Sequence, residues 1–233
     1  MGIHQTLIGG YSAQAAASKT WTLVGTDSSA GFSGATVSVA NCQPGDQAWF
    51  GAVTDAAAGS PDLPTGYTSI FSSSSNAPDY ILASKTITSS GTETASVDQG
   101  EDNGILLVFR SSTGSITNLD SNGNFVYASR VSNFGAPTTP NSNFQSRVAQ
   151  ANSIALNVGY LDDDNPASIT APFPYTFAVA GNVDDGSTSS SIFAAYAETS
   201  SASSTPPGQG NPWFIDFNSD QNFCTIVYLQ HGS

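Results

Sequence analysis

Apolar and polar positions alternate along the chain in short runs, and clusters of Gly, Pro, Asn and Asp break the runs apart. A two-residue alternation is the mark of a strand with one buried face, and the breaking residues are those that turns require. The pattern predicts strands at 20–25, 36–40, 47–54, 67–72, 80–87 and 105–110. Further strands are predicted at 124–131, 153–161, 175–180, 191–198, 213–217 and 225–229. The run Ile105-Leu106-Leu107-Val108-Phe109 is apolar at every position, which places it inside a core. A helical period is never sustained: the alanines at 13–17 allow one turn, and Ser18, Thr20 and Thr22 then interrupt it. Many short strands joined by loops predict an all-β sandwich or barrel rather than an α/β fold.

The two halves resemble each other. Gly45-Asp46-Gln47-Ala48-Trp49-Phe50-Gly51-Ala52-Val53 answers to Ala151-Asn152-Ser153-Ile154-Ala155-Leu156-Asn157-Val158-Gly159. Tyr67-Thr68 answers to Tyr175-Thr176, Tyr80–Lys85 to Ser191–Tyr196, and Ile105–Phe109 to Thr225–Leu229. The offset grows in order from 106 residues (Asp46 against Asn152) to 120 (Leu106 against Ile226), as loop insertions in a second copy would produce. About four strands per copy predict a jelly-roll-like antiparallel β-sandwich, with the copies interleaved across two sheets so that each covers the other. On this reading 1–35 forms an arm with edge strands, and 36–233 is one sandwich with repeat halves near 40–110 and 150–230.

Composition narrows the function classes. Five Lys+Arg against 18 Asp+Glu give a net charge of −13. Phosphate binding needs clustered cations, so neither nucleic acid nor an anionic membrane surface is an expected partner. Only 10% of residues are charged, and solubility rests on a surplus of Ser and Thr. No apolar run reaches the roughly 20 residues of a membrane helix. The start Met1-Gly2-Ile3-His4-Gln5-Thr6 lacks the basic and apolar regions of a secretory signal. Its match to a myristoylation pattern has no basic cluster beside it and is read as coincidence. Cys42 and Cys224 make no disulfide framework and are expected as free buried thiols rather than a bridge.

Candidate chemistry is sparse. Asp162-Asp163-Asp164-Asn165 and Asp184-Asp185-Gly186 offer hard oxygen ligands on turns, where Ca²⁺ could bind. Neither has the spacing of a calcium-binding helical loop, and Asp also caps turn amides without any metal. A glycosidase needs two facing carboxylates, and Glu93, Glu101 and Glu198 stand in no such context. His4 and His231 lie near the ends and are expected at the surface, so no Ser-His-Asp triad is expected. Tyr67, Tyr80, Tyr160, Tyr175, Trp213 and Phe217 could stack on sugar faces, although Trp21, Trp49 and Trp213 lie within strand patterns that favour a core. The candidate ligand contacts are therefore Tyr160, Asp162, Asp163, Asp164 and Trp213, with Pro206-Pro207-Gly208-Gln209-Gly210-Asn211-Pro212 as a second candidate tip.

The order of motifs carries a family resemblance over residues 40–230. A strand opens with Pro44-Gly45-Asp46, a loop ends in Leu63-Pro64-Thr65-Gly66-Tyr67-Thr68, and the apolar strand Ile105–Phe109 follows a Ser/Thr hairpin. Ser168-Ile169-Thr170-Ala171-Pro172 then precedes the second strand set, which closes on Ile226-Val227-Tyr228-Leu229. This resembles the β-sandwich structural proteins encoded among the virion genes of tailed bacteriophages. The resemblance implies a non-enzymatic, surface-exposed virion component assembled in the host cytoplasm. It implies other virion proteins as partners, homo-oligomers such as trimers, and a host surface glycan for a tail-fibre or baseplate adhesion role. The small, polar arm at 1–17 would be the attachment segment. The alternatives are a capsid decoration protein and a free carbohydrate-binding module. The family pattern carries no catalytic residue and no obligatory cofactor.

Overall fold

The computed structural model describes residues 19–31, 34–54, 61–73, 79–97, 102–117, 127–133, 151–162, 169–171, 175–182, 190–199, 214–215 and 221–232. These residues are all-β, with no helix among them. In the first half the strands are β1 (Trp21–Gly31), β2 (Ala35–Cys42), β3 (Gln47–Thr54), β4 (Thr68–Ser73), β5 (Asp79–Thr86), β6 (Gly91–Val97) and β7 (Asp102–Ser111). In the second they are β8 (Ile116–Thr117), β9 (Tyr127–Asn133), β10 (Ile154–Asp162), β11 (Ile169–Thr170), β12 (Thr176–Asn182), β13 (Ser191–Glu198), β14 (Phe214–Ile215) and β15 (Gln221–His231). Every ladder is antiparallel, and the sheets pack on one another as a β-sandwich.

The first sheet has the order β1-β7-β3-β5-β4 and the second β12-β13-β10-β15-β8, with β9 also paired to β15. Strands β2 and β6 form a separate two-stranded ribbon, and β11 pairs with β14. The first sheet is the middle layer. One of its faces packs on the second sheet through Trp49, Val53, Leu82, Ile105, Leu107 and Phe109, which meet Ile154, Leu156, Val158, Tyr160, Ile192 and Val227. Its other face packs under the ribbon: Ala48, Phe50, Ala52, Ile81, Leu106 and Val108 meet Val37, Val39, Ala95 and Val97. Neighbouring residues of one strand point to opposite faces, so Leu106 and Leu107 serve different cores. All eight residues of β3 are buried as a result.

The copies are not interleaved. Each half builds its own sheet, and the two sheets have the same strand order: β4-β5-β3-β7-β1 in one and β12-β13-β10-β15-β8 in the other. Their registers coincide as well. Trp49 lies between Ser84 and Leu107, and Leu156 lies between Tyr196 and Val227. A bulge falls between Ser69 and Phe71 opposite Leu82, and another between Phe177 and Val179 opposite Ala194. Equivalent positions face the same core: Trp49, Val53, Leu82, Leu107 and Phe109 correspond to Leu156, Tyr160, Ala194, Val227 and Leu229.

This match moves the first segment of the sequence alignment by one residue, so that Asp46 corresponds to Ser153 rather than to Asn152. It also extends the repeat upstream. Strand β1, grouped by sequence with the arm, pairs with β7 as the short β8 pairs with β15. The ribbon strand β6 was not anticipated, because Gly91-Thr92-Glu93-Thr94-Ala95-Ser96-Val97 is largely polar. Its alternate residues Glu93, Ala95 and Val97 face inward all the same.

The two cores make a direct prediction. Leu106→Ala and Leu107→Ala should each cost about 2–5 kcal/mol in urea unfolding, since both side chains are fully buried in a two-sided layer. A cost near zero for Leu106→Ala alone would mean that the ribbon is a loosely held flap.

Candidate functional site

Two turns lead into the central strands of the two sheets, and they are built alike. Gly45 donates its N–H to the carbonyl of Ile87 (2.9 Å), and Ile87 donates back to the carbonyl of Asp46 (2.8 Å). In the second half Asn152 donates to Thr199 (2.7 Å) and Thr199 to Ser153 (2.8 Å). Gly45 and Asn152 hold the corresponding left-handed conformation, with φ of 91° and 58°. Gly is needed at the first because a Cβ there would overlap the carbonyl oxygen of Gly114. Asn is among the few other residues that tolerate this region.

The side chains around the two turns differ. In the first half Asp46, 1% exposed, takes a two-point contact from Arg110: Nε to Oδ1 at 2.7 Å and Nη2 to Oδ2 at 2.7 Å. Arg110 Nη2 also donates to the carbonyl of Asn41 (2.9 Å), and Asp46 Oδ2 accepts the N–H of Gln43 (2.7 Å). The carboxylate's hydrogen bonds raise the guanidinium further above its ordinary pKa. Here the turn is bridged by an ion pair whose Arg110 side chain stays partly exposed. In the second half the register places Ser153 where Asp46 stands, Gln230 where Arg110 stands, and His231 where Ser111 stands.

With both ion-pair partners replaced, a groove of about 360 Å³ is open at this turn, lined by Lys19, Ala151, Asn152, Ser153, Gln230 and His231. Trp21 frames it: its ring stacks on His231 with centroids 4.1 Å apart, and its Nε1–H donates to the carbonyl of Asn152 (2.7 Å). Two buried polar atoms of the lining residues, Ser153 Oγ and His231 Nε2, have no hydrogen-bond partner.

The protonation of His231 follows from its neighbours. Thr113 Oγ1 donates to the carbonyl of Ser115 (3.1 Å), which uses its one proton. The 2.7 Å contact between Ser111 Oγ and Thr113 Oγ1 is then donated by Ser111. Ser111 Oγ therefore accepts, from the N–H of Thr113 (3.1 Å) and from Nδ1–H of His231 (2.7 Å). Neutral His231 carries its proton on Nδ1, and Nε2 presents a lone pair. Burial and, to a lesser extent, the charge of Lys19 hold the imidazole below its ordinary pKa.

The residues singled out by sequence lie elsewhere. Tyr160 is fully buried between the sheets, its ring 4.6 Å from that of Tyr80 and its hydroxyl directed to the carbonyl of Ile81 (3.4 Å). A ring with no accessible surface offers no platform to a sugar, so Tyr160 is a core residue. Tyr67, Tyr80 and Tyr175 are buried too. Tyr67 donates to Glu93 (3.1 Å), which also pairs with Lys85 at 2.7 Å. Asp162 ends β10 opposite Gln221, at the end of the sandwich away from the groove. Asp163, Asp164 and Trp213 lie outside the described residues, as do His4, Asp184, Asp185, the 206–212 loop and Phe217. Among the described residues no three His, Cys, Asp or Glu side chains gather as metal ligands. Cys42 is a free buried thiol, 3.2 Å from the carbonyl of Val39, with its pKa pushed up by burial.

His231, expected at the surface, is instead half-buried and bonded. Trp21, Asn152 and His231 were missed as a group because they come from three distant points of the chain. The one local signal was Asn152, which stands where the first repeat has its turn glycine. Comparison of the chain with protein-family models, curated proteins and solved structures finds no match.

The state of His231 has a consequence for stability. Its folded pKa lies below the unfolded value near 6.5, so the unfolded chain binds the proton first. The stability this group contributes is complete above about pH 6.5 and is lost as pH falls from there through the folded pKa. Melting temperature should therefore fall further between pH 7.5 and 5.5 in the wild type than in His231→Phe, which keeps a ring against Trp21. Equal falls in the two proteins would count against a His231 pKa lowered by folding.

Proposed function

We propose that this chain is a non-enzymatic structural protein displayed on the surface of a tailed-phage particle, associated with a tail fibre or baseplate and acting in adhesion. The observation that carries this reading is how the molecule meets water. The outward face of the ribbon is a hydroxyl ladder, with Thr36 bonded to Ser96 at 3.2 Å and Ser38 to Thr94 at 2.9 Å. Hydroxyl pairs are indifferent to salt and pH in a way that surface ion pairs are not. A rigid layered sandwich with such a surface and a net charge of −13 suits a component present in many copies outside the cell. Homo-oligomers and other virion proteins are the partners this role requires, and a host glycan is its target.

A free carbohydrate-binding module is the second reading, favoured by the polar groove between Lys19 and His231. Immunogold labelling of purified particles from the source virus, with antibody against this chain, separates the two. Gold at the tail is the expected result. Gold over the head would replace adhesion by capsid decoration, and no gold on intact particles would overturn the virion reading and leave the free module.

A further inference from the structure

We propose that His231 is an acid-released clasp between the two halves of the sandwich: when Nε2 takes up a proton, the Trp21 indole leaves His231 and Asn152, and the seam between the sheets opens at this end. The proposal stands apart from the virion reading and does not depend on it.

The clasp is a cluster of side chains drawn from both sheets. His231, at the end of β15 in the second sheet, reaches the first sheet twice. Its Nδ1–H donates to Ser111 at the end of β7 (2.7 Å), and its ring stacks on Trp21 at the start of β1 with centroids 4.1 Å apart. Trp21 in turn gives its Nε1–H to the carbonyl of Asn152 (2.7 Å), so the second sheet holds the indole by its face and by its edge. The start of β1 is fixed to its own sheet separately, by the Thr20 N–H on Ser112 Oγ (2.9 Å) and the Ser112 N–H on the carbonyl of Thr20 (3.0 Å). The indole can therefore let go of the second sheet while the β1–β7 ladder stays intact. By register the first half has Ser111 where the second has His231, so the device belongs to one turn only.

Protonation strikes this cluster at its weakest atom. Nε2 of the neutral ring is buried and has no partner. As a lone pair it carries no charge, and the cost of leaving it unpaired is modest. As an N–H of the imidazolium it would be a buried donor on a cation with no acceptor in reach, which is far less favourable. The surroundings do not offset that. Among the described residues Lys19, just before β1, is the one charged group that acts on the ring, and it carries the same sign. Arg110, the neighbour of Ser111 on β7, is turned onto Asp46 and occupies that carboxylate. The remaining neighbours, Ser111 and Thr113 on one side and Asn152 and Ser153 on the other, are neutral. The stacked indole face favours a cation, but it accepts no bond from an N–H in the plane of the ring. Burial first, and Lys19 second, accordingly hold the imidazole below its ordinary pKa. Moving the charged ring into water relieves both, and that movement breaks the stack on Trp21.

The test follows two indole protons of the full chain by hydrogen exchange in NMR spectra. Trp21 Nε1–H belongs to the clasp, whereas the Trp49 ring is fully buried between the sheets and reports opening of the core. Rates at pH 7.5 and 5.0 are corrected for the intrinsic pH dependence of indole exchange. Protection of Trp21 is expected to fall several-fold at pH 5.0, by up to about tenfold for each unit by which folding lowers the histidine pKa, while that of Trp49 holds. His231→Phe keeps a ring against Trp21 but has no proton to gain, and Lys19→Glu sets a negative charge beside the imidazolium. A smaller loss at Trp21 in either variant supports the proposal. Unchanged protection of wild-type Trp21 at pH 5.0 would overturn it. An equal loss at Trp21 and Trp49 would do so too, since acid would then loosen the whole sandwich. A loss at Trp21 undiminished in both variants would place the trigger on another group and overturn it as well.

Discussion

The burial of the first sheet on both faces is the constraint on which the rest of the molecule depends. With the second sheet on one side and the β2–β6 ribbon on the other, β3 has no residue facing water. A central strand in that position must satisfy its backbone wholly within the ladders, which β5 and β7 provide along its full length. It must also tolerate side chains packed closely above and below, which explains Ala48, Gly51 and Ala52 interspersed with Trp49 and Phe50. Some polar groups near this layer are bonded to chosen partners, while Gln47 Oε1, Trp49 Nε1 and Asn103 Oδ1 are buried without one. Asn103, fully buried, donates its amide to the carbonyl and hydroxyl of Ser190 across the two halves. Tyr67 gives its hydroxyl to Glu93, and burial together with that carboxylate pushes the phenol well above its ordinary pKa.

This constraint separates what was legible in the sequence from what was not. Strands β3, β5, β10 and β13 were readable to within a residue or two because apolar runs stopped at Gly, Pro, Asn and Asp. The repeat was readable as well, but its phase in β3 and β10 was not. A strand covered on both faces has lost the alternation that fixes which residue faces which way. The pairing of Trp49 with Leu156 became visible only through the ladders to β7 and β15. The expected interleaving of the copies failed for a related reason. Nothing in a strand's own residues names its distant neighbour, and each half could close its own sheet because β5 and β7 lie beside β3. Strand β6 was illegible because its inward Glu93 is made tolerable by Lys85 and Tyr67, partners that the local pattern does not reveal.

The site was less legible than the fold. Reading aromatics as sugar platforms selected Tyr67, Tyr80, Tyr160 and Tyr175, and all four went into the cores. An aromatic ring in a strand contributes so much buried area that packing claims it before solvent does. The groove assembles instead from the start of β1, the turn before β10 and the end of β15. None of these positions carries a motif. His231 stands near the end of the chain, where a surface position is the ordinary expectation, and only the ladder from β15 to β10 brings it beside Asn152 and Trp21.

Comparing the halves shows where the sandwich tolerated change. On the inner faces most equivalents remain apolar, because each side chain packs on the opposite sheet and a change on one side needs an answer on the other; by register Thr225 takes the place of Ile105. Even on the outer face a volume exchange is visible: Ala52 opposite Ile81 in the first half becomes Gly159 opposite Phe193 in the second, and Phe193 fills the space a Cβ on Gly159 would need. That outer face has become polar, with Asn157 where the first half has Phe50 and Tyr228 where it has Val108. Both are fully buried, and burial raises the Tyr228 phenol so that it stays a neutral hydroxyl. At the turns the divergence is greatest, because a turn is coupled to its neighbours mainly through backbone bonds that do not depend on the side chains. The Asn152–Thr199 pair keeps the geometry of Gly45–Ile87, while the residues beside it form an ion pair in one half and border an open polar groove in the other. A repeated sandwich thus separates two demands within one chain: the faces hold the copies together, and the turns, relieved of that duty, are where the side chains of the two copies differ most.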